Sequence, residues 1–277
     1  MPDLWSDLLA CLDLRPVPSE GTGEERVGDD VTEFEGRNQQ LDYRRVFGGQ
    51  LLGQFIRIAS VTCPDKAVKS QHAVFAREGR ADEPVQYRAT RHHEGRSFGT
   101  VTITARQSHG VIATSSVCVH VLEDGPERQS VDDVPAVLGP EYRVTIDMIP
   151  WEIRTTVDLS TDATGPPEFE AWMRTPTADP ELAPALAAYA TDLTLIGTAL
   201  RPMDGVSQRG TTTVFTSAVT SHTIWFHRPF RTDDWLLLRQ HSPLLANGRS
   251  FGRGDVLAED GNLVASYAQE ALLRFAS

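Results

Sequence analysis

The chain has 277 residues, 40% hydrophobic and 23% charged, which is ordinary globular composition with room for one or two well-filled cores. Its 26 basic and 38 acidic side chains give a net charge of −12, which excludes a generic phosphate-backbone binder and predicts no nucleic-acid partner, while permitting a local basic pocket for one anionic ligand. Cys11, Cys63 and Cys118 are odd in number and lack zinc-ligand spacing, no apolar run approaches the roughly 18–20 residues of a membrane span, and Asp3, Asp7 and Asp13 make the N-terminus acidic, so a cytoplasmic protein without bound metal or membrane span is expected.

Met1 to Leu14 spaces Leu4, Trp5, Leu8, Leu9 and Leu12 along one face of a short helix packed on the body. A loop rich in Gly, Glu and Asp leads to Asp30, and Val31 to Gly36 reads as a short strand. Leu51, Leu52, Phe55, Ile56 and Ala59 recur at the spacing of a buried helix face, predicting a helix over Leu51 to Thr62 that Pro64 ends. Ser70 to Arg77, Pro84 to His92, Phe98 to Arg106 and Val111 to Val121 are rich in Val, Thr, Phe and Tyr, and four antiparallel strands around that helix is the simplest packing.

Glu123 to Glu170 is rich in Pro, Asp, Glu and Gly and holds the crossover between two halves, with strand-like alternation over Trp151 to Asp158. Phe169 to Arg174 is a further strand. Asp179 then caps a helix with Pro180 at its first position and Leu182, Leu186, Tyr189, Leu193 and Ile196 on its buried face. Strands are expected at Thr212 to Trp225, Trp235 to His241, Phe251 to Ala258 and Leu263 to Arg274. Helix followed by strands, twice over, means α+β with antiparallel sheets rather than a doubly wound fold.

The pentapeptide Gly-Arg-Ser-Phe-Gly occurs at Gly95 to Gly99 and again at Gly248 to Gly252. The similarity continues past it with a two-residue gap, setting Ser115 against Ser266, and extends back to His72 to Arg77 against His222 to Arg228, so half of the chain reads as a repeat of the other. Each copy matches the nucleophile elbow of a serine hydrolase, which requires a strand before the serine and a helix after it. Here the polar turn His92-His93-Glu94-Gly95 precedes Ser97 and a period-two strand pattern follows it, so both Ser97 and Ser250 read as turn residues.

Gly48-Gly49-Gln50 at a helix start has two readings: free N–H groups for an anion or oxyanion, or close helix-to-sheet contact. His222 and His227 lie on one strand with opposite facing, which favours structural hydrogen bonds over joint metal ligation, and His72 echoes His222. Asp192 is a carboxylate in the apolar helix Ala190-Thr191-Asp192-Leu193, either satisfied in the core or catalytic.

Taken together, Phe47 to Gln54, His72 to Gly79, Gly95 to Phe98, Tyr189 to Leu193, the block His222-Thr-Ile-Trp-Phe-His-Arg-Pro-Phe230 with Trp235-Leu-Leu, and the ending Asp260-Gly-x-Leu-Val-Ala-Ser-x-x-Gln-Glu270 resemble the acyl-CoA thioesterase II family over nearly the whole chain. The resemblance implies a double hotdog, two fused halves each with a long helix wrapped by an antiparallel sheet: residues 1–122, a linker at 123–147, and residues 148–277. It implies hydrolysis of acyl-CoA by a water held by an aspartate, a hydroxyl residue and a glutamine, without a cofactor. Asp192 and Gln269 match two of these positions. Val219 stands at the third, three residues before His222, and Ser221 replaces a usual aspartate. Thr220 is expected on the opposite strand face from Val219, and Ser221 on the same face roughly 6–7 Å along; either is a partial substitute.

Substrate contacts are expected at Gly48, Gly49, Gln50 and Arg228, with Arg44, Arg45 and Arg77 as further partners for the CoA phosphates. The resemblance also implies a homo-oligomer. The competing reading is an acyl-CoA binding or sensing protein that kept the fold and lost the chemistry at Val219. The ending Arg274-Phe-Ala-Ser277 lacks the Ser-Lys-Leu peroxisomal address.

Overall fold

The computed structural model describes residues 3–18, 30–146, 148–210 and 214–275. Two compact units result, Met1–Glu127 with Pro184–Tyr189, and Arg128–Ala183 with Ala190–Ser277.

In the first unit, helix α1 (Leu4–Leu12) starts at Asp3, whose carboxylate accepts the Ser6 N–H, and buries Leu8, Cys11 and Leu12. Strands β1 (Arg15–Val17) and β2 (Asp30–Gly36) precede helix α2 (Gly48–Thr62), followed by β3 (Ala67–Phe75), β4 (Val85–Glu94), β5 (Phe98–Gln107) and β6 (Gly110–His120). The sheet order is β1-β2-β4-β5-β6-β3, every pair antiparallel, so the sheet of this unit has six strands, and α2 packs on β2, β3, β4 and β6. In β5, Gly99, Val101, Ile103 and Ala105 are buried while the threonines between them are not, the alternation of a sheet with one covered face. β4 runs on through His92 and His93, which are exposed on its end rather than in a turn.

Helix α2 begins three residues before its apolar periodicity, at Gly48, and ends where the Cys63 N–H bonds to Ala59 O ahead of Pro64. Its glycines have a packing role. A Cβ on Gly49 would lie 2.4 Å from the Tyr189 carbonyl oxygen, and one on Gly53 3.2 Å from that of Ala185, so the four-residue spacing lets the Pro184–Tyr189 backbone approach α2 directly. The contact is helix to helix, not helix to sheet.

In the second unit, the segment expected to be a linker packs on the sheet. Val131, Val134, Val137 and Leu138 lie on Trp172, Leu237 and Leu257, and the Arg239 guanidinium donates to the Asp132 and Asp133 carbonyls at 3.1 and 2.9 Å. A 3₁₀ turn at Pro140–Tyr142 then leads into β7 (Arg143–Ile146), β8 (Ile149–Arg154) and β9 (Glu168–Arg174).

The long helix expected after Asp179 is broken. Asp179 caps a 3₁₀ turn at Pro180–Leu182, accepting the Glu181 N–H at 3.0 Å; α3 (Ala183–Thr191) follows, and α4 (Leu195–Leu200) begins only after an irregular turn at 192–194. Pro180–Leu200 is long and apolar enough to cross a membrane by length and composition alone, but 78% of its 18-residue apolar stretch is buried inside the protein, as in a core helix. The expected stripe is therefore incomplete: α3 is apolar all round, and Leu193 and Ile196 are only half-buried.

Strands β10 (Phe215–Phe226), β11 (Leu236–Ala246), β12 (Arg249–Ala258) and β13 (Leu263–Phe275) complete the unit, in the antiparallel order β10-β13-β12-β11-β9-β8-β7. The expected first residues of β10, 212 and 213, lie outside the described residues. β11 outruns its expected end at His241 because a register shift between His241 and Leu244 absorbs Pro243, which has no N–H for the ladder. Asn247 and Gly248, with φ of 53° and 70°, close the β11–β12 hairpin with the left-handed backbone such turns require.

Among several register shifts, one in each unit falls at a matching place, between Val68 and Ser70 in β3 and between Val219 and Ser221 in β10. Used as a common reference, these shifts correct the expected repeat. Gln71, not His72, occupies the place of His222; Ser115 matches Tyr267 rather than Ser266; and Gly99 matches Ser250. The two identical pentapeptides are thus two residues out of register. The first lies mostly in the bend before β5, with Ser97 half-buried there; the second has its glycine in the turn and buried Ser250 already in β12. Neither serine sits between a strand and a helix.

Candidate functional site

The polar residues that converge in the second unit surround the break between α3 and α4. Asp192 is the C-terminal cap of α3 and is 5% exposed. The negative end of a helix is an unfavourable place for a carboxylate, so helix stability does not explain this residue. Thr191, just before it, has its hydroxyl 3.1 Å from Nε2 of His222 on β10, and both are fully buried. His222 stands directly opposite Gln269 on β13, and Gly252 on β12 stands opposite Gln269 from the other side. A Cβ on Gly252 would meet Leu195 Cδ2 at 2.7 Å; the bare backbone lets the first residue of α4 sit over the sheet beside Gln269.

Gln269 is 3% exposed, and neither its Oε1 nor its Nε2 has a hydrogen-bond partner among the described residues. An unsatisfied buried amide costs about 1–3 kcal/mol, so its presence on the inner face calls for a use.

The strand shift in β10 settles the facing of the residues before His222. Val219 pairs with Ala271, Ser221 with Glu270 and His222 with Gln269, which leaves Thr220 as the extra residue. Paired residues share a face, so Val219 and His222 both face inward and Ser221 faces outward with Glu270. The expectation that Ser221 shares the face of Val219 assumed unbroken alternation and is corrected by the bulge. Thr220 spends its hydroxyl on the Glu270 carbonyl at 3.0 Å.

Behind this row lies a second polar layer that the sequence reading missed. Gln240 on β11, 2% exposed, donates through Nε2 to Thr194 Oγ1 and to Tyr267 Oη, both at 2.7 Å, and its Oε1 accepts from Thr198 Oγ1 at 3.0 Å. The Tyr267 ring stacks on His222 with centroids 6.0 Å apart, and burial raises its phenol above the usual tyrosine range. Gly254 makes this possible, since a Cβ there would stand 2.6 Å from Tyr267 Cζ and Oη. The Gly252-Arg-Gly254 spacing inside a strand was the available sign of a close approach.

The other expected site residues have partners of their own. In the first unit, Gln50 gives Oε1 to the Gln39 N–H at 2.8 Å and Nε2 to Asn38 and Gln54 at 2.9 and 3.2 Å, while Gly49 is committed to helix packing as described. Gly48 is the first residue of α2. Arg45 pairs with Glu78, and Arg77 donates to the His109 carbonyl at 2.6 Å. Arg44 lies in the loop before α2, with its carbonyl accepting the Ala81 N–H. In the second unit, Arg228 donates to Gln129 Oε1 at 3.1 Å and to the Leu263 carbonyl at 2.9 Å. His227 lies beyond the end of β10, 3.0 Å from Ser266 Oγ, which in turn donates to Asp255 at 2.6 Å; partial desolvation lowers the His227 imidazole below the usual range. His222 and His227 thus bond to different hydroxyls, those of Thr191 and Ser266.

Comparison with known proteins agrees with this architecture. Residues 39–120 match the acyl-CoA thioesterase N-terminal domain, and residues 122–273 match the acyl-CoA thioesterase C-terminal domain. The chain is 30% identical to acyl-CoA thioesterase 2 of Haemophilus influenzae, covering 99% of each, and 27% identical to human acyl-coenzyme A thioesterase 8, covering 87% of this chain and 84% of the human protein. Among solved structures, an acyl-CoA thioesterase II from Mycobacterium marinum superposes with a TM-score of 0.75 at 29% identity, covering 98% of each chain. A hotdog-fold protein from Alicyclobacillus acidocaldarius gives 0.72 at 17% identity over 98% of each, a likeness of fold, and the α+β double hotdog is the fold of this chain.

Proposed function

This chain belongs to the acyl-CoA thioesterase II family, and from that premise we propose that it cleaves acyl-CoA thioesters to free CoA and a carboxylic acid, using a water oriented by Asp192 and Gln269. The observation that carries the assignment is the buried amide of Gln269, without a partner among the described residues, directly opposite His222, whose imidazole is bonded to the residue before Asp192. Asp192 takes one proton from the water as its oxygen bonds to the thioester carbonyl carbon. Gln269 accepts the other water hydrogen through Oε1 and fixes the line of attack. The tetrahedral adduct then expels CoA as thiolate, which takes up the proton held by Asp192 and so returns the base to its carboxylate form. A thioester is activated enough that general-base assistance of water suffices without an acyl-enzyme.

Val219 favours a second reading, an acyl-CoA binding or sensing protein with weakened catalysis. It offers no hydrogen bond where it faces inward; the neighbouring hydroxyl of Thr220 is engaged, and Ser221 turns away. A panel of acyl-CoA chain lengths, read by thiol release and by equilibrium binding, separates the two. Thiol release above the buffer rate supports the hydrolase; tight binding with no release at any chain length supports the sensor.

A further inference from the structure

We infer that Gln240 is a positioning residue for Asp192, holding the α3–α4 turn from the sheet; the catalytic part of this inference rests on the role proposed for Asp192. The turn Asp192-Leu193-Thr194 separates two helices, and Thr194 is the N-cap of the second. An N-cap threonine ordinarily accepts a hydrogen bond from the first turn of its own helix, and Thr194 does not. Its hydroxyl accepts instead from Gln240 on β11. The other flank of the turn is held the same way, by Thr191 to His222 on β10. Asp192 thus sits between two threonine hydroxyls, each tied to a different strand.

Gln240 suits this task because its amide is fully used. Both N–H groups and the carbonyl are bonded, to Thr194, Tyr267 and Thr198, so α4, β11 and β13 are joined through one rigid group. Tyr267 ties the two anchors together: it bonds to Gln240 through its hydroxyl and stacks on His222 through its ring. A buried amide with all its donors and its acceptor engaged specifies one geometry, and a general base displaced by about 1 Å loses on the order of a hundredfold in rate. Gln240 touches no reacting atom in this scheme; it acts through the turn.

The test is Gln240→Leu in the full chain, with two readouts. Steady-state thiol release from an acyl-CoA that the parent hydrolyses is expected to show kcat lower by about tenfold or more, with KM within about threefold, the pattern of a lost transition-state arrangement. Amide hydrogen exchange in the 192–195 segment is expected to rise about tenfold, since the tether that opposes local opening is gone. A folded Q240L protein with parental kcat, or with KM raised and kcat unchanged, overturns the positioning role, and unchanged exchange at 192–195 overturns the tether. If the parent releases no thiol from any acyl-CoA, the proposed function has failed, and the exchange result alone decides the tether. If Q240L does not fold, Tyr267→Phe and Thr198→Val each remove one arm of the network, and the same two readouts decide with smaller expected effects, about threefold in each.

Discussion

Replacing Gly254 with alanine tests the polar layer behind the site through its tightest point. The new Cβ would stand 2.6 Å from Tyr267 Cζ and Oη and 2.8 Å from the Arg239 carbonyl oxygen, against the ~3.5 Å at which carbon contacts become favourable. Arg239 O belongs to the ladder in which Gln240 pairs with Gly254, so it has little freedom to retreat. Tyr267 must move, and the 2.7 Å bond from Gln240 is lost with it. Leaving a buried phenol and amide imperfectly paired costs about 1–3 kcal/mol. Overpacking adds a similar amount, so a total loss of about 2–6 kcal/mol is expected. Denaturant unfolding measures it. Adding Tyr267→Phe should recover about 1 kcal/mol of the loss, because the hydroxyl is one of the two atoms struck. A Gly254→Ala protein within about 0.5 kcal/mol of the parent would refute the account of how Tyr267 and Gln240 are packed.

Other substitutions probe the remaining claims. Gly49→Ala, 2.4 Å from a backbone oxygen, should destabilise by about 3 kcal/mol, whereas Gly53→Ala, whose backbone neighbour lies 3.2 Å away, should cost under about 1 kcal/mol; thermal unfolding of both checks the helix contact. Val219→Thr places a hydroxyl on the inner face at nearly constant volume and should raise the rate of thiol release by about tenfold, the equivalent of one good hydrogen bond in the transition state; no gain would show that this position does not limit the reaction. Partial desolvation lowers the His227 imidazole below the ordinary 6.5, so the unfolded chain binds its proton first and stability falls as pH drops through 6.5. His227→Gln should flatten that part of the melting-temperature profile, and an unchanged slope would place its cause elsewhere.

The end of α2 at Pro64, the main strand runs and the duplicated plan follow from periodicity and the glycine turns, and are visible in the sequence. Asp192 was legible because a carboxylate in an apolar helix is anomalous, and Gln269 only through the family ending that contains it. The residues misread all depend on register. A single extra residue, Thr220, reverses the facing of Ser221, and the matching shift in β3 puts Gln71 where His72 was expected. Side-chain alternation has a period of two, so one insertion in a strand flips everything beyond it, and nothing in the local composition marks the insertion. The break at 192–194 was hidden for a related reason. Leu193, Leu195 and Ile196 continue the apolar pattern, while the turn is held from outside by Gln240 and His222, which are remote in sequence.

The most direct test of the central claim is thiol release by Asp192→Asn, a change that keeps the size of the side chain and removes its basicity. If Asp192 is the general base, kcat for an acyl-CoA substrate should fall by about 10²–10⁴-fold while acyl-CoA still binds with near-parental affinity. Release of free CoA at the unmutated rate would contradict it.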